Sequence, residues 1–576
     1  MNPFVTTRFG FRATQVVALL FLLFGAFDLT AQSSTDFEAR KAAFRQTALA
    51  NLNNNALPIQ AFEGLPLSET HLDDLLSGLL DRETSDFVLV VLMRVLCLTD
   101  AYDERILPII TQLPFWLREN EDLRVYWSEN HMIMWMSSDW LMMERFDWSV
   151  DDALRKRLIH YLNLKIEYGY YEFFSSTYYP YTLSGLLNLA DFSQDMEIAA
   201  LAASAAQRLM ADVLLLVNEQ GAFFPAAGRN YVSKYLSALN HNHDKVNYLF
   251  TGLGPVPTDA SHASAFVATS SVDFGAVIDS WRPQLNQSLT LGHPLSQGDV
   301  LHAGQSDIDR IIFQWSAGGY FHPDLAEDTL WLLDELDLWE HHDFNDFAGF
   351  EGFPAWVAST GSIILASITR SSVLTGVNIA IYKDGPVSLT ATQGYWSGRL
   401  GYQLFPWVAS TGTIAVWTQS GEVKTEWRDR GSMNANTHLP HVTQNDNVAL
   451  VMYQPNVDLP IFGIDDLDVA LYWPEDRFDE TRAFGNWVLG REGDGYVAVY
   501  KHCNAVINGH FACDDERGQT WAVVVGNNQS HGDFDAFETV IRAGSVREQW
   551  RWDWRKFTFN YVARVQVDGK TIEKTW

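Results

Sequence analysis

The sequence predicts a helical domain followed by an antiparallel β domain, and three observations carry that prediction. Up to His342 apolar residues return at helical spacing, in runs separated by short polar connections. After Asp343 the runs become β-branched and aromatic and are punctuated by glycine. The chain has 576 residues, 47% hydrophobic and 19% charged, which suffices for two large cores and excludes a disordered polymer.

Taken in order, residues 1–31 read as a secretory signal: Arg8 and Arg12 make a basic start, Val16 to Ala26 an apolar core, and Leu29-Thr30-Ala31 a cleavage site. Leu29 fits that site poorly, which leaves an uncleaved anchor as the alternative. The mature chain is expected to be secreted or periplasmic, with no membrane span once the signal is gone. Residues 32–342 carry helical runs at 72–80, 87–98, 132–143, 154–166, 183–190, 198–217 and 329–339. Short connections favour antiparallel neighbours, and this many helices imply a bundle wound into a ring or solenoid. Residues 343–576 carry strand-like runs at 363–368, 377–382, 387–391, 413–418, 448–453, 496–500, 521–525 and 557–567. They fit a large antiparallel sandwich. Trp356-Val-Ala-Ser-Thr-Gly-Ser-Ile363 returns almost unchanged as Trp407-Val-Ala-Ser-Thr-Gly-Thr-Ile414, which reads as two similar strand–turn units or as coincidence.

Acidic residues outnumber basic ones 71 to 40, a net charge of −31. Nucleic acid is thereby excluded as a partner. The same field repels a polyanionic glycan at long range unless a local basic cleft overcomes it. Of the cysteines Cys97, Cys503 and Cys513, export makes a Cys503–Cys513 bridge feasible across the loop containing Asn508-Gly509. Cys97, in an apolar run, reads as a buried free thiol. The spacing excludes a thiolate zinc site.

The candidate chemistry begins with Tyr126 to Leu141, where Glu129, Asn130 and His131 head an apolar helix with Ser128 as its N-cap. An amide and an imidazole beside the free N–H groups of a helix start suit the holding of an anion. The plainer account is that the triple caps and bridges helices. Tyr178, Tyr179 and Tyr181 crowd the entry of a second helix that Pro180 opens. Such rings can floor a sugar site, and a phenol near cations can exchange protons with a substrate. Packing between helices explains any one of them equally well. A third loop carries Arg229 and Tyr231, a guanidinium fork for a carboxylate or for a structural acid. His302, Asp307, Asp309 and Arg310 form a further polar group, and no spacing compels a metal.

An inner helix bearing Asn130-His131, a tyrosine-rich loop at 178–181 and a following β half together resemble the heparinase II/III-like and alginate-lyase-type polysaccharide lyases. The resemblance implies an N-terminal α/α toroid joined to a C-terminal antiparallel β-sandwich, with a uronate polymer bound between them. It implies that Asn130 and His131 neutralise the uronate carboxylate and that Tyr178 or Tyr179 acts as base and then acid. Glu129, Tyr181, Arg229, Tyr231 and His302 become the expected substrate contacts. Abstraction of the proton α to a carboxylate builds negative charge there, so amide and imidazolium donors lower the barrier. No cofactor is required. Some relatives hold a metal in the sandwich, for which His438, His441 and His531 are the suggestive residues, and the metal content stays open. The acidity of the chain points to an acidic or weakly sulfated polysaccharide rather than a highly sulfated one. Two other readings fit the same residues: a glycoside hydrolase using Glu129 and Glu172, and a non-catalytic glycan-binding protein.

Overall fold

The computed structural model describes residues 34–576 except 83, 114, 116–127, 147–150, 239–241, 294, 296–305, 321, 367–372, 397–398, 402, 421–435, 454–466, 508–509, 515–517 and 556. The expected signal, His302 and the Asn508-Gly509 loop therefore lie outside the described residues.

A helical N-terminal half precedes the antiparallel sheets. Its helices include α1 (Ser34–Ala50), α2 (Leu57–Phe62), α3 (Glu69–Leu76), α4 (Asp86–Leu98), α5 (Asp103–Ile110), α6 (Glu129–Arg145), α7 (Asp152–Tyr168), α8 (Tyr179–Phe192), α9 (Met196–Leu216), α10 (Asn242–Thr251) and α11 (His262–Thr269), with further helices at Gly275–Asp279, Asp307–Trp315 and Ala326–Glu335. Helix α2 packs on α4, α4 on α6, α6 on α8, α8 on α11, and α11 returns to α2, so these five close a ring. Outside it, α1 and α10 back α11, and α7 and α9 back α6 and α8. An inner helix must be apolar on every side, and α6 complies with buried Ile133, Met134, Trp135, Met136 and Trp140. Arg94 of α4 ties the ring from within: its buried guanidinium reaches Thr269 Oγ1 (2.7 Å), Asn188 Oδ1 (3.1 Å) and Asp191 Oδ2 (2.8 Å). Helix α9 is long and apolar enough by composition to cross a membrane, yet here it packs against α7 and α8.

Two large sheets follow. The first runs β1 (Gln284–Leu291), β2 (Val377–Asp384), β3 (Val387–Gln393), β5 (Trp407–Thr411), β6 (Ile414–Ser420), β10 (Val469–Tyr472), β15 (His510–Cys513) and β14 (Val506–Ile507). The second runs β11 (Glu480–Phe484), β12 (Trp487–Glu492), β13 (Gly495–Tyr500), β16 (Gln519–Asn527), β9 (Val448–Tyr453) and β8 (His441–Asn445). Their facing sides share one core, including Leu389, Trp407, Val451, Val497 and Trp521. The far side of the second sheet is covered by a sheet of β17 (Ser545–Asp553), β18 (Thr558–Val567) and β19 (Lys570–Thr575) and by the helix Phe534–Ala543. Phe224 and Tyr235, from the helical half, cover the outer face of the first sheet against Val408, Trp417 and Tyr472. β4 (Arg399–Gly401) and β7 (Asn436–His438) form a small separate pair. Cys503 and Cys513 form a disulfide, and Cys97 is a free, half-buried thiol.

Two elements differ from the expectation. Strand β1 precedes residue 342 and pairs over its whole length with β2, so the helical segment contributes one edge of the β half. Helical structure also continues past 342, through a 3-10 helix (His342–Phe350) and the helix Ala355–Ile364. The strand expected at 363–368 is thus helical where it begins. The two near-identical octets consequently adopt different structures: Trp356–Ile363 lies in a helix, and Trp407–Ile414 makes the β5–β6 hairpin. Gly412 takes φ 55° at the hairpin turn, where the Glu492 carboxylate accepts from Thr413 N (3.0 Å), Thr413 Oγ1 (2.6 Å) and Ile414 N (3.2 Å).

Candidate active site

The head of α6 is built differently from the expected cap. Ser128 has φ 133°, a region costly for any residue but glycine, and its Oγ donates to Asn130 Oδ1 (2.5 Å) instead of capping the backbone. Glu129 is wholly buried, and its carboxylate accepts from Lys165 Nζ (2.5 Å), Glu172 N (2.7 Å) and Tyr171 N (3.2 Å). Its backbone carbonyl accepts from the Tyr161 hydroxyl (2.8 Å). Glu129 is therefore an internal brace pinning the 169–178 loop to α6, which corrects its expected place among the substrate contacts.

Asn130 is also fully buried, but its Nδ2 has no hydrogen-bond partner among the described residues. A buried amide left so costs about 1–3 kcal/mol, which a fold sustains most readily where a ligand supplies the acceptor. His131 is partly open, and its Nδ1 stands 2.6 Å from Oδ2 of Asp86, the fully buried first residue of α4. That carboxylate fixes the ring's orientation. Phe87 packs on His131 (5.1 Å) and on Tyr181 (4.4 Å), so Tyr181 extends the same aromatic wall.

The loop before α8 supplies Glu172 and Tyr178. Glu172 is 1% exposed, its carboxylate lies at the Asn130 backbone N–H at the head of α6, and Arg229 Nε stands 3.9 Å from Oε1. Burial, and then the neighbouring Glu129 charge, push its pKa up to about 8; Arg229, Lys165 and the Asn130 backbone N–H pull the other way. The Tyr178 hydroxyl bonds the Tyr231 hydroxyl (2.8 Å) and receives Gln403 Nε2 (3.2 Å). Arg229 lies over the Tyr178 ring, 5.6 Å from its centroid, and donates from Nε to Gln403 Oε1 (3.0 Å). Burial raises the Tyr178 phenol well above its ordinary value, against the pull of Arg229. The 226–231 loop is held to the β half by backbone bonds from Ala227 to Phe405 (3.0 Å) and from Asn230 to Gln403 (2.7 Å). Glycine is required at 228, because a Cβ there would stand 2.2 Å from the Tyr171 carbonyl oxygen.

The structure thus joins Asn130, Glu172, Arg229, Tyr178, Tyr231 and Gln403 by successive contacts, with His131 next in chain to Asn130. It separates the two tyrosines expected as proton carriers. Tyr179 is enclosed in the helical core between Tyr170 (5.5 Å) and His243 (6.4 Å), which corrects its expected place beside Tyr178. Asp309 pairs with Arg157, and Arg310 with Asp328 (3.1 Å), so both serve internal ion pairs. Of the suggestive histidines, His438 is buried with its backbone bound to Ser420, His441 packs on Trp576, and His531 pairs with Asp568 (3.2 Å). Among the described residues no three His, Cys, Asp or Glu side chains gather to hold a metal ion.

Asp86, Lys165, Asn230 and Gln403 were not singled out from sequence. Asp86 could have been, as a carboxylate opening an otherwise apolar helix. Gln403 carries no such signal: it reaches the site because its backbone takes φ 56° between β4 and β5.

Fold and site together define a two-part protein in which a buried amide, an oriented imidazole, a phenol and a guanidinium make a donor set suited to an anionic group. No protein-family model matches the chain, and no curated protein does. Among solved structures, a mutant of the heparan sulfate lyase HepC from Pedobacter heparinus is similar over 94% of this chain and 82% of its own, at 9% sequence identity and a TM-score of 0.31.

Proposed function

We propose that the protein is a secreted or periplasmic polysaccharide lyase that cleaves a uronate-bearing, weakly sulfated or unsulfated glycan by β-elimination. What supports this reading is an unpartnered buried amide at Asn130 next in chain to the Asp86-held His131, together with a Tyr178 hydroxyl networked with Tyr231, Gln403 and Arg229. The uronate carboxylate takes the Asn130 Nδ2 donor and the Arg229 guanidinium, which satisfies the buried amide and spreads the charge that develops when the α-proton leaves. His131, held by Asp86, takes that proton. Tyr178 keeps its own proton at neutral pH because burial disfavours the phenolate, and it gives that proton to the leaving glycosidic oxygen. No water enters the bond-breaking step. The Cys503–Cys513 disulfide fits an exported protein.

The paired-carboxylate hydrolase reading loses its pair, because Glu129 spends its oxygens on Lys165 and on the backbone of Glu172 itself. The test incubates the purified protein with a panel of uronic polymers and follows near-ultraviolet absorbance of the unsaturated product. Tyr178→Phe keeps the ring and removes the proton, and turnover should fall about 10²–10⁴-fold with binding retained. Reducing ends appearing without that absorbance would overturn the lyase reading.

A further inference from the structure

The β17–β18 hairpin ends in a tip crowded with exposed rings. Toward the core, Tyr561, Ala563 and Val565 are buried against the second sheet. Farther out the same hairpin exposes Trp550 (45%), Trp554 (77%), Phe557 (76%) and Phe559 (58%). The rings are preassembled: Trp550 lies 5.1 Å from Tyr561, and Trp552 lies 4.9 Å from Phe559 and 5.9 Å from Trp554. β17 is an edge strand, so its side chains are reachable along the free edge. Four aromatics exposed together carry a cost in water that a ligand covering them would relieve.

Charge says which ligand. In a chain of net charge −31, arginines are typically taken by carboxylates, as with Arg45, Arg94, Arg145, Arg155 and Arg482. Arg547, Arg551 and Arg555 on this hairpin are exposed, and their guanidinium groups have no ion pair among the described residues. The hairpin's own acids are occupied: Glu548 by the Tyr561 hydroxyl and His502, Asp553 by Asn560 Nδ2 and the Arg555 backbone N–H. Arg547 and Arg551 sit about 13 Å apart on the face of β17 opposite Trp550 and Trp552, and Arg555 follows the strand's end. A polymer crossing the free edge of β17 meets rings for the apolar faces of sugars on one face and free guanidinium groups for carboxylates on the other, which complements an anionic polysaccharide.

We propose that this tip is a second glycan site, which grips an anionic polysaccharide away from the cleavage site through Trp550, Trp554 and Phe559 and through Arg551 and Arg555. The choice of uronate as its ligand rests on the lyase reading. Polymer chains held there are fed to the cleft at raised local concentration.

The test is retardation in gels containing alginate, or a neutral β-glucan for comparison, on a Tyr178→Phe background so that polymer is not consumed. The parent should be retarded by alginate and not by the neutral glucan. Trp550→Ala/Trp554→Ala should weaken alginate binding at least about tenfold, with an unchanged melting transition showing that the fold is intact. Arg551→Gln/Arg555→Gln should reduce both retardation and its salt sensitivity. With Tyr178 intact, the tip variants should lose turnover on polymer while keeping it on short oligosaccharides. Undiminished retardation in the tip variants would overturn the proposal. So would tip-dependent binding to anionic phospholipid vesicles, or a tip-dependent dimer in light scattering, without glycan binding. Tip-dependent retardation without unsaturated product from any uronate would leave the tip site standing and remove the lyase reading; product formation indifferent to the tip would do the reverse.

Discussion

Replacing Glu172 with glutamine tests the electrostatics of the cleft without any substrate. The group is 1% exposed, and burial with the adjacent Glu129 charge carries it from 4.5 to about 8. Below pH 4.5 both the folded and unfolded chains hold the proton, and the site imposes no pH-dependent penalty. As pH rises through 4.5 the unfolded chain ionises while the folded one does not, so stability falls until the folded group ionises near pH 8, and then levels. At 1.36 kcal/mol per pH unit the full penalty is on the order of 5 kcal/mol. Glutamine has no such window. The difference in stability between Glu172→Gln and the parent should therefore drift in the variant's favour, on the order of a few kcal/mol, between pH 4 and 8.5, with groups remote from the Glu129–Glu172 pair cancelling. Tryptophan-monitored urea denaturation of both proteins at half-unit pH steps measures it. Parallel curves for the two proteins would refute the argument, because they would mean that Glu172 ionises alike in both states.

Other perturbations follow from named contacts. Lys165→Met strands the Glu129 carboxylate in the core and should cost about 3–5 kcal/mol, read as a lowered urea midpoint; adding Glu129→Gln should recover part of it. Asp86→Asn releases the His131 ring and should lower kcat about tenfold or more with a smaller change in KM, measured on the polymer that gives unsaturated product. Glu492→Ala removes the acceptor of the β5–β6 turn and should destabilise the β half by about 2–4 kcal/mol, seen as an earlier thermal transition with unchanged cleavage geometry.

Much of the fold was legible because its cores are local in pattern. The all-round apolar character of 132–143 marks an inner helix, and the runs at 377–382, 387–391, 448–453 and 521–525 coincide with strands β2, β3, β9 and β16. Strand β1 was not, since Gln284–Leu291 acquires its partner only when β2 arrives, and Gln284 meets Asp384 at the end of that pairing. In the site, Tyr178, Arg229 and Tyr231 were legible from residue types, and the structure brings these three into contact. The division of labour was not. Glu129 looks as ligand-ready as Asn130 until Lys165 is brought against it, and Tyr178 and Tyr179 are adjacent residues that helix entry sends in opposite directions, one to the cleft and one to the core. Gln403 comes from across the molecule, 174 residues from the arginine it binds.

The paired octets show how little a short word of sequence contains. Trp-Val-Ala-Ser-Thr-Gly is spelled identically at 356–361 and 407–412, and the eighth residue also matches, so Ser362 against Thr413 is the one difference. Cut out as peptides, the two should be indistinguishable by circular dichroism, because neither helix nor hairpin is encoded within them. What disambiguates the second copy is the pairing of its hairpin with β3 and β10 and, 79 residues downstream, the Glu492 carboxylate that receives its turn. Grammar, in this protein, is supplied by distant neighbours, and a homologue that kept the octet but lost those partners would be free to read it the other way.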